Sequence, residues 1–180
     1  LFVAVVGVVF LDQAIKEIVA ETIKVDTSVP ILNGWLDLTN MHNLRGSWIL
    51  SYFDVQSEIA HYFANIAVAI LVFLVLIQMY RLYVNIRRKS LWADIAFLGI
   101  FSGHAGFTYD MAIRGYILDY IGLPNIVAAD IKDIALAIGL AAFFAEFVDN
   151  PDLSLCDMCR CQGWRNEWGS LTGFIRELWD

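Results

Sequence analysis

Four long apolar stretches alternate with polar connections along the chain, at about 1–20, 59–80, 91–111 and 127–148. Each approaches the ~20 residues that a helix needs to cross the hydrocarbon of a bilayer. The spacing predicts four transmembrane helices and an all-α integral membrane protein. The second stretch is the cleanest, with no charge between Ile66 and Ile77, and is expected to be the lipid-facing helix. The other three carry ionisable groups: Asp12 and Lys16 in the first, Asp110 at the end of the third, Asp130 and Asp133 at the start of the fourth. Those helices are expected to face one another around a polar interior, because an ionised side chain in hydrocarbon costs at least about 3 kcal/mol unless it is paired or wetted.

The connections add orientation. Residues 81–89 hold Arg81, Arg87, Arg88 and Lys89 and no acid, which places this loop in the cytoplasm by the positive-inside rule. Both termini are then cytoplasmic, and segments 21–58 and 112–126 lie outside. The first outside segment reads as a β-rich platform over about 21–50: residues 21–30 alternate and Leu32-Asn-Gly-Trp35 supplies a turn. Trp35 and Trp48 suit the membrane interface. The first apolar stretch is read as a retained helix, since Asp12, Lys16 and Glu17 interrupt it and no small-residue cleavage site stands out after it. The chain divides into a membrane domain, 1–148, and a cytoplasmic tail, 149–180.

Composition sharpens this. Of 180 residues, 59% are hydrophobic and 17% charged, against about 45–50% and about 25% in soluble domains. The net charge of −7 argues against nucleic-acid binding, which needs a basic face. Membrane lipid is the expected surrounding.

The aspartates carry the candidate chemistry. Asp130 and Asp133 lie three apart on one helix face, and the short connection after Asp119 can fold that residue back over the helix start. Two carboxylates in a dry site share a proton, and such a pair can deprotonate a water and protonate a leaving amide nitrogen. The alternative is helix capping, which suits Asp130 well and Asp133, one turn deeper, less well. Lys132 lies beside Asp130 but is expected off the face that the two acids share. Asp12-Gln-Ala-Ile-Lys16 places opposite charges at i,i+4, as a self-satisfied ion pair or as part of a site.

The order of these motifs resembles the lipoprotein signal peptidase (signal peptidase II) family of four-span bacterial aspartic proteases. Asp12-Gln-Ala-Ile-Lys16 matches the family's Asp-Gln-x-x-Lys. Asn43-Leu-Arg-Gly-Ser-Trp48 lies on Asn-x-Gly-Ala-x-Phe, with Arg45 in place of Gly. Gly106-Phe-Thr-Tyr-Asp110-Met111 lies on Gly-Asn-x-x-Asp-Arg, with Phe107 and Met111 in place of Asn and Arg; Arg114 is placed to stand in for the latter. Gly115-Tyr-Ile-Leu-Asp119-Tyr-Ile121 matches Gly-x-Val-Val-Asp-Phe-Ile. Asp130-Ile-Lys-Asp133 lies on Asn-x-Ala-Asp.

The resemblance implies a catalytic dyad of Asp119 and Asp133, with Asp12, Lys16, Asn43, Asp110 and Asp130 supporting it or binding substrate. It implies removal of signal peptides from diacylglyceryl-modified prolipoproteins at the outer face of the bacterial cytoplasmic (inner) membrane, with no cofactor. As a third acid, Asp130 is expected to push the pair's pKa values upward. The rival reading is an inactive member serving as a structural subunit of a larger membrane complex. The distance between the Asp119 and Asp133 carboxyls discriminates between them.

Other groups contribute less. Cys156, Cys159 and Cys161 offer half of a metal site without an evident fourth ligand, so plain thiols or ligands completed by a partner are the expectation. Trp164, Trp168, Phe174 and Trp179 suggest docking of the tail on a membrane or partner subunit. His42, His61 and His104 are scattered, and His104 is expected to be a hydrogen-bonded histidine within the membrane.

Overall fold

Polar groups occupy the inside of the first helix and apolar groups its outside. In α1 (Phe2–Thr22) the buried side chains are Asp12, Gln13, Lys16 and Val19, whereas Val3, Val6, Phe10 and Ile18 are exposed. A soluble helix does the reverse, so the solvent of this protein is hydrocarbon. The computed structural model describes residues 1–33, 35–44, 58–85, 90–123 and 127–149. Within them lie four long helices and one small antiparallel sheet. The tail, with its cysteines and tryptophans, lies outside the described residues, as do Arg45, Trp48 and the basic residues 87–89.

The α1 helix ends where Ile23 turns extended and Asn40 Nδ2 donates to its carbonyl at 2.7 Å. The chain then forms β1 (Ser28–Pro30) and β2 (Asp37–Asn43), joined through a turn with Asn33 in the left-handed region. The expected strand over 21–30 is thus shorter than its alternation suggested, because α1 runs on through Thr22. The next helix, α2 (Glu58–Asn85), is the longest. Its stretch Tyr62–Val84 is the one helix among the described residues both long and apolar enough to cross a membrane on composition alone. It meets α3 (Leu91–Tyr109) through aromatic rings, Phe73 on Phe101 at 5.8 Å and Tyr80 on Phe97 at 5.2 Å. His104 of α3 bonds the Ala69 carbonyl at 2.7 Å, as the sequence predicts.

One turn of π-helix, Asp110–Arg114, continues α3 and stops at Gly115, whose φ of 77° a side chain would resist. The second outside segment then makes β3 (Ile117–Leu123) and β4 (Val127–Ala129). The sheet runs β1-β2-β3-β4, all antiparallel. The platform therefore draws half its strands from beyond the third helix, not only from the segment between the first two. Residues 127–129 were expected to open the last helix; they pair with 121–123 instead, and α4 (Ile131–Asp149) begins after them. Val19 of α1 and Ile23 just beyond its end pack with Leu118 and Tyr120 of β3 and fix the sheet on the helix end.

The α3–α4 contact is the tightest. A Cβ added to Gly99 would lie 2.7 Å from Gly139 Cα, and one on Gly103 would lie 2.8 Å from Leu136 Cβ. Backbone touches backbone there, as small residues allow between helices in lipid.

Candidate active site

Three elements converge on Lys16. Its ammonium lies 2.7 Å from Asp12 Oδ2 on its own helix, 2.5 Å from Asp110 Oδ2 at the end of α3, and 2.7 Å from Asp130 Oδ2 before α4, all four side chains fully buried. The ammonium donates a hydrogen bond to Asp110 and lies at ion-pair distance from the other two carboxylates. Gln13 Nε2 donates to Asp110 Oδ1 at 2.9 Å and to Asp12 Oδ2 at 3.2 Å. The Tyr120 hydroxyl donates to Asp12 Oδ1 at 3.2 Å and accepts the Ile131 N–H, tying β3 to the first residue of α4. The i,i+4 pair read from the sequence is thus the hub of a buried network, not an isolated ion pair.

The strand register brings the second half together. Asp119 lies opposite Met41 on β2, and Ile121 pairs with Ala129, the residue before Asp130. One hairpin therefore folds the start of α4 back beside Asp119. Asp130 Oδ1 accepts the Asp133 N–H at 3.1 Å, and Asp133 Oδ2 accepts the Asp130 N–H at 3.3 Å. This is a reciprocal capping box, so both acids cap the helix, including Asp133, which capping was expected to suit less well. Capping does not use up Asp133, because its other oxygen, Oδ1, is the one nearest the Lys132 ammonium. Carboxylate oxygens of Asp119, Asp130 and Asp133 lie within 4.8 Å of one another. One water hydrogen-bonded to two oxygens spans up to about 5–6 Å, so a single water can bridge the pair. Asp133 is half-exposed and Asp119 mostly buried. Burial pushes the Asp119 carboxyl up to about 7, with Asp130 and Asp133 adding to the rise and Lys132 opposing it.

Lys132 corrects a second expectation. Its side chain is not turned off the acidic face. It is buried, bonded to Asp130, and lies 3.7 Å from Asp110, 4.0 Å from Asp119 and 4.0 Å from Asp133. Asp130 is thereby held between two lysines. Arg114 pairs with the exposed Glu17 at 2.5 Å instead of joining the cluster. Met111, where the resemblance expects Arg, is buried, and Phe107 stacks near His104 at 6.3 Å. Asn43 ends β2 opposite Ile117, two positions from the Asp119 register. Gln13 and Tyr120 are further network members that the sequence did not single out as site residues, although Gln13 lies in the Asp-Gln-x-x-Lys match and Tyr120 stands at the aromatic position after Asp119.

Two acid triads have metal-ligand spacing, Asp12–Asp110–Asp130 and Asp119–Asp130–Asp133. A lysine ammonium already sits among the oxygens of each. The cations that this arrangement is built for are lysines.

Comparison with known proteins identifies the family and the fold. The lipoprotein signal peptidase of Desulforapulum autotrophicum is 29% identical over 152 residues, covering 81% of this chain and 91% of the relative. That of Fusobacterium nucleatum is 28% identical, covering 77% and 79%. A bacterial membrane enzyme solved by the in meso method at 1.9 Å resolution shares the fold with a TM-score of 0.66 and 22% identity, covering 81% of this chain and 90% of that one. The profile described as signal peptidase (SPase) II matches residues 4–148, the four helices and the sheet together, and the chain belongs to that family.

Proposed function

We propose that the protein is an aspartic endopeptidase that removes signal peptides from lipidated prolipoproteins, with Asp119 and Asp133 as its catalytic pair. The observation that carries the reading is the approach of their carboxylate oxygens to within 4.8 Å, one from a strand and one from a helix start. The more buried Asp119 is assigned the shared proton and the half-exposed Asp133, at the helix start, the role of base. The base takes a proton from the bridging water as its oxygen bonds to the scissile carbonyl carbon. The acid protonates the carbonyl oxygen, and the tetrahedral intermediate collapses with the C–N bond breaking and a proton passing to the nitrogen. The net change is one water added across one amide bond. The pair titrates as a unit.

In this reading all four helices span the cytoplasmic (inner) membrane, both termini are cytoplasmic, and the sheet lies at the outer face, where a lipid-anchored substrate meets water. Asn43, at the end of β2, is assigned to substrate positioning. The rival reading, an inactive structural subunit, drew on the substituted support residues Arg45, Phe107, Met111 and Asp130 and on the Cys- and Trp-containing tail; of these grounds, the pairing of Asp130 with Lys16 and Lys132 weakens one.

The test is cleavage of a diacylglyceryl-modified prolipoprotein by the purified chain in detergent or bilayer. Turnover lost in both Asp119→Asn and Asp133→Asn, with folding intact, supports the assignment. No turnover by the unaltered chain under any condition that supports a known relative would sink it.

A further inference from the structure

Lys16 is already enclosed by Asp12, Asp110 and Asp130 at 2.7, 2.5 and 2.7 Å. The second buried cation, Lys132, is differently placed. Its stem lies across Gly106 of α3, where an added Cβ would fall 3.1 Å from Lys132 Cβ and 3.2 Å from its Cδ. That gap steers a residue one step off the acidic face into the acidic cluster. Its ammonium is anchored on Asp130 and stands 4.0 Å from Asp119 Oδ1 and 4.0 Å from Asp133 Oδ1.

We propose that Lys132 is a positioning residue of the active site: seated over Gly106 and held by Asp130, its ammonium sets the charge of the Asp119–Asp133 pair and hence the pH range in which that pair carries one proton. The proposal rests on the reading of that pair as the acid and base of the reaction. The groups facing Lys132 are Asp110 from the π turn, Asp119 from β3, and Asp130 and Asp133 from the start of α4; behind them stand Lys16, paired with Asp130 and Asp110, Asp12, paired with Lys16, and Tyr120, bonded to Asp12. Acids outnumber cations in this set, so unaided the pair would hold its proton too tightly to supply a base. An opposite charge within about 4–6 Å lowers a carboxyl pKa by about 1–3 units, and Lys132 is at that distance from both carboxyls. Asp130 plays the complementary part. It fixes the ammonium and offsets part of its charge, so Asp130 and Lys132 work as one unit at the positions where the family motif has Asn and Ala.

Opposite displacements of the pH profile test this. In the purified full-length protein, Lys132→Met should move the activity–pH profile toward alkaline pH by about 1–2 units. Asp130→Asn, which leaves the ammonium less compensated, should move it toward acid. Lys132→Arg should stay close to the parent, and Asp130→Asn with Lys132→Ala should lie between the single variants. An unmoved profile in Lys132→Met, or displacement of both single variants in one direction, overturns the proposal. Where Lys132→Met does not fold, the double variant is compared with Asp130→Asn, and the same alkaline displacement is required. A second readout needs no turnover: the infrared band of protonated carboxyl, assigned through Asp119→Asn, should titrate at higher pH without Lys132. If the parent cleaves no lipoprotein but this band still moves, the protease reading fails and the electrostatic role of Lys132 stands. If the parent cleaves and the band does not move, the reverse holds.

Discussion

Lys16 gathers three buried carboxylates, from α1, the π turn and the start of α4, around one ammonium. Removing one partner of a buried ionic cluster strands the others, at a cost of about 3–5 kcal/mol. Lys16→Met is therefore expected to lower the thermal unfolding midpoint in detergent sharply. Adding Asp110→Asn should recover part of the loss, and a Lys16→Met protein as stable as the parent would show that the network is not held by charge. Asp119 gives the matching pH prediction. Its carboxyl is raised from 3.8 to about 7 in the folded state, so the fold binds a proton that the unfolded chain releases. The stability this lends is complete below the unfolded value and is lost as pH rises through about 7. Melting at about pH 5 and about pH 8 should show a larger loss in the parent than in Asp119→Asn; equal losses would place the titration elsewhere. The sequence disclosed Asp12 and Lys16 because helical spacing alone makes them neighbours. It did not disclose the direction of Lys132, because a long side chain in the first turn follows the space beside it, and that space is made by Gly106 on another helix.

Between elements, the glycines of α3 set how closely α4 approaches and so where Asp133 sits. Gly99 and Gly103 are four apart on the face against Ala135, Leu136 and Gly139. A leucine at 99 has no room without parting the helices, and overpacking of this kind costs about 1–3 kcal/mol. Gly99→Leu should destabilise the protein and reduce cleavage together. Gly7→Leu, where an added Cβ meets nothing within 4 Å, should change neither. Equal behaviour of the two variants would refute the packing argument. The four helices were legible because each is a long apolar run, and their interiors lie where the hydropathy pattern put them. The sheet was legible only in its first half. Val127-Ala-Ala129 continues an apolar run into α4, and a short apolar run does not reveal whether it is strand or helix; pairing with β3, remote in hydropathy terms, decides it. The same pairing brings Asp119 to Asp133, which is why the site had to be reached through motif order and not through spacing alone.

At the scale of the whole molecule, the arrangement is polar within and apolar without, closed at one end by a sheet whose first hairpin presents Ile31, Leu32 and Trp35 to the surroundings. The acid pair lies at that end, since Asp119 is part of the sheet and Asp133 belongs to the first turn of α4. The opposite end carries Ser90 bonded to Glu146, and Trp92 donating to Asp149 at 2.7 Å. If the basic segment 81–89 is cytoplasmic, the hairpin and the acid pair are at the outer face, where water and a membrane-anchored substrate are both within reach. Single cysteines decide the matter. In a background with Cys156, Cys159 and Cys161 changed to serine, Trp35→Cys should react in intact cells with a membrane-impermeant maleimide. Arg81→Cys, near the other end of α2, should react only after the membrane is opened. The reverse pattern would put the acid pair on the cytoplasmic side, away from any exported lipoprotein. The proposed peptidase would then have no route to its substrate, however well its carboxylates are placed.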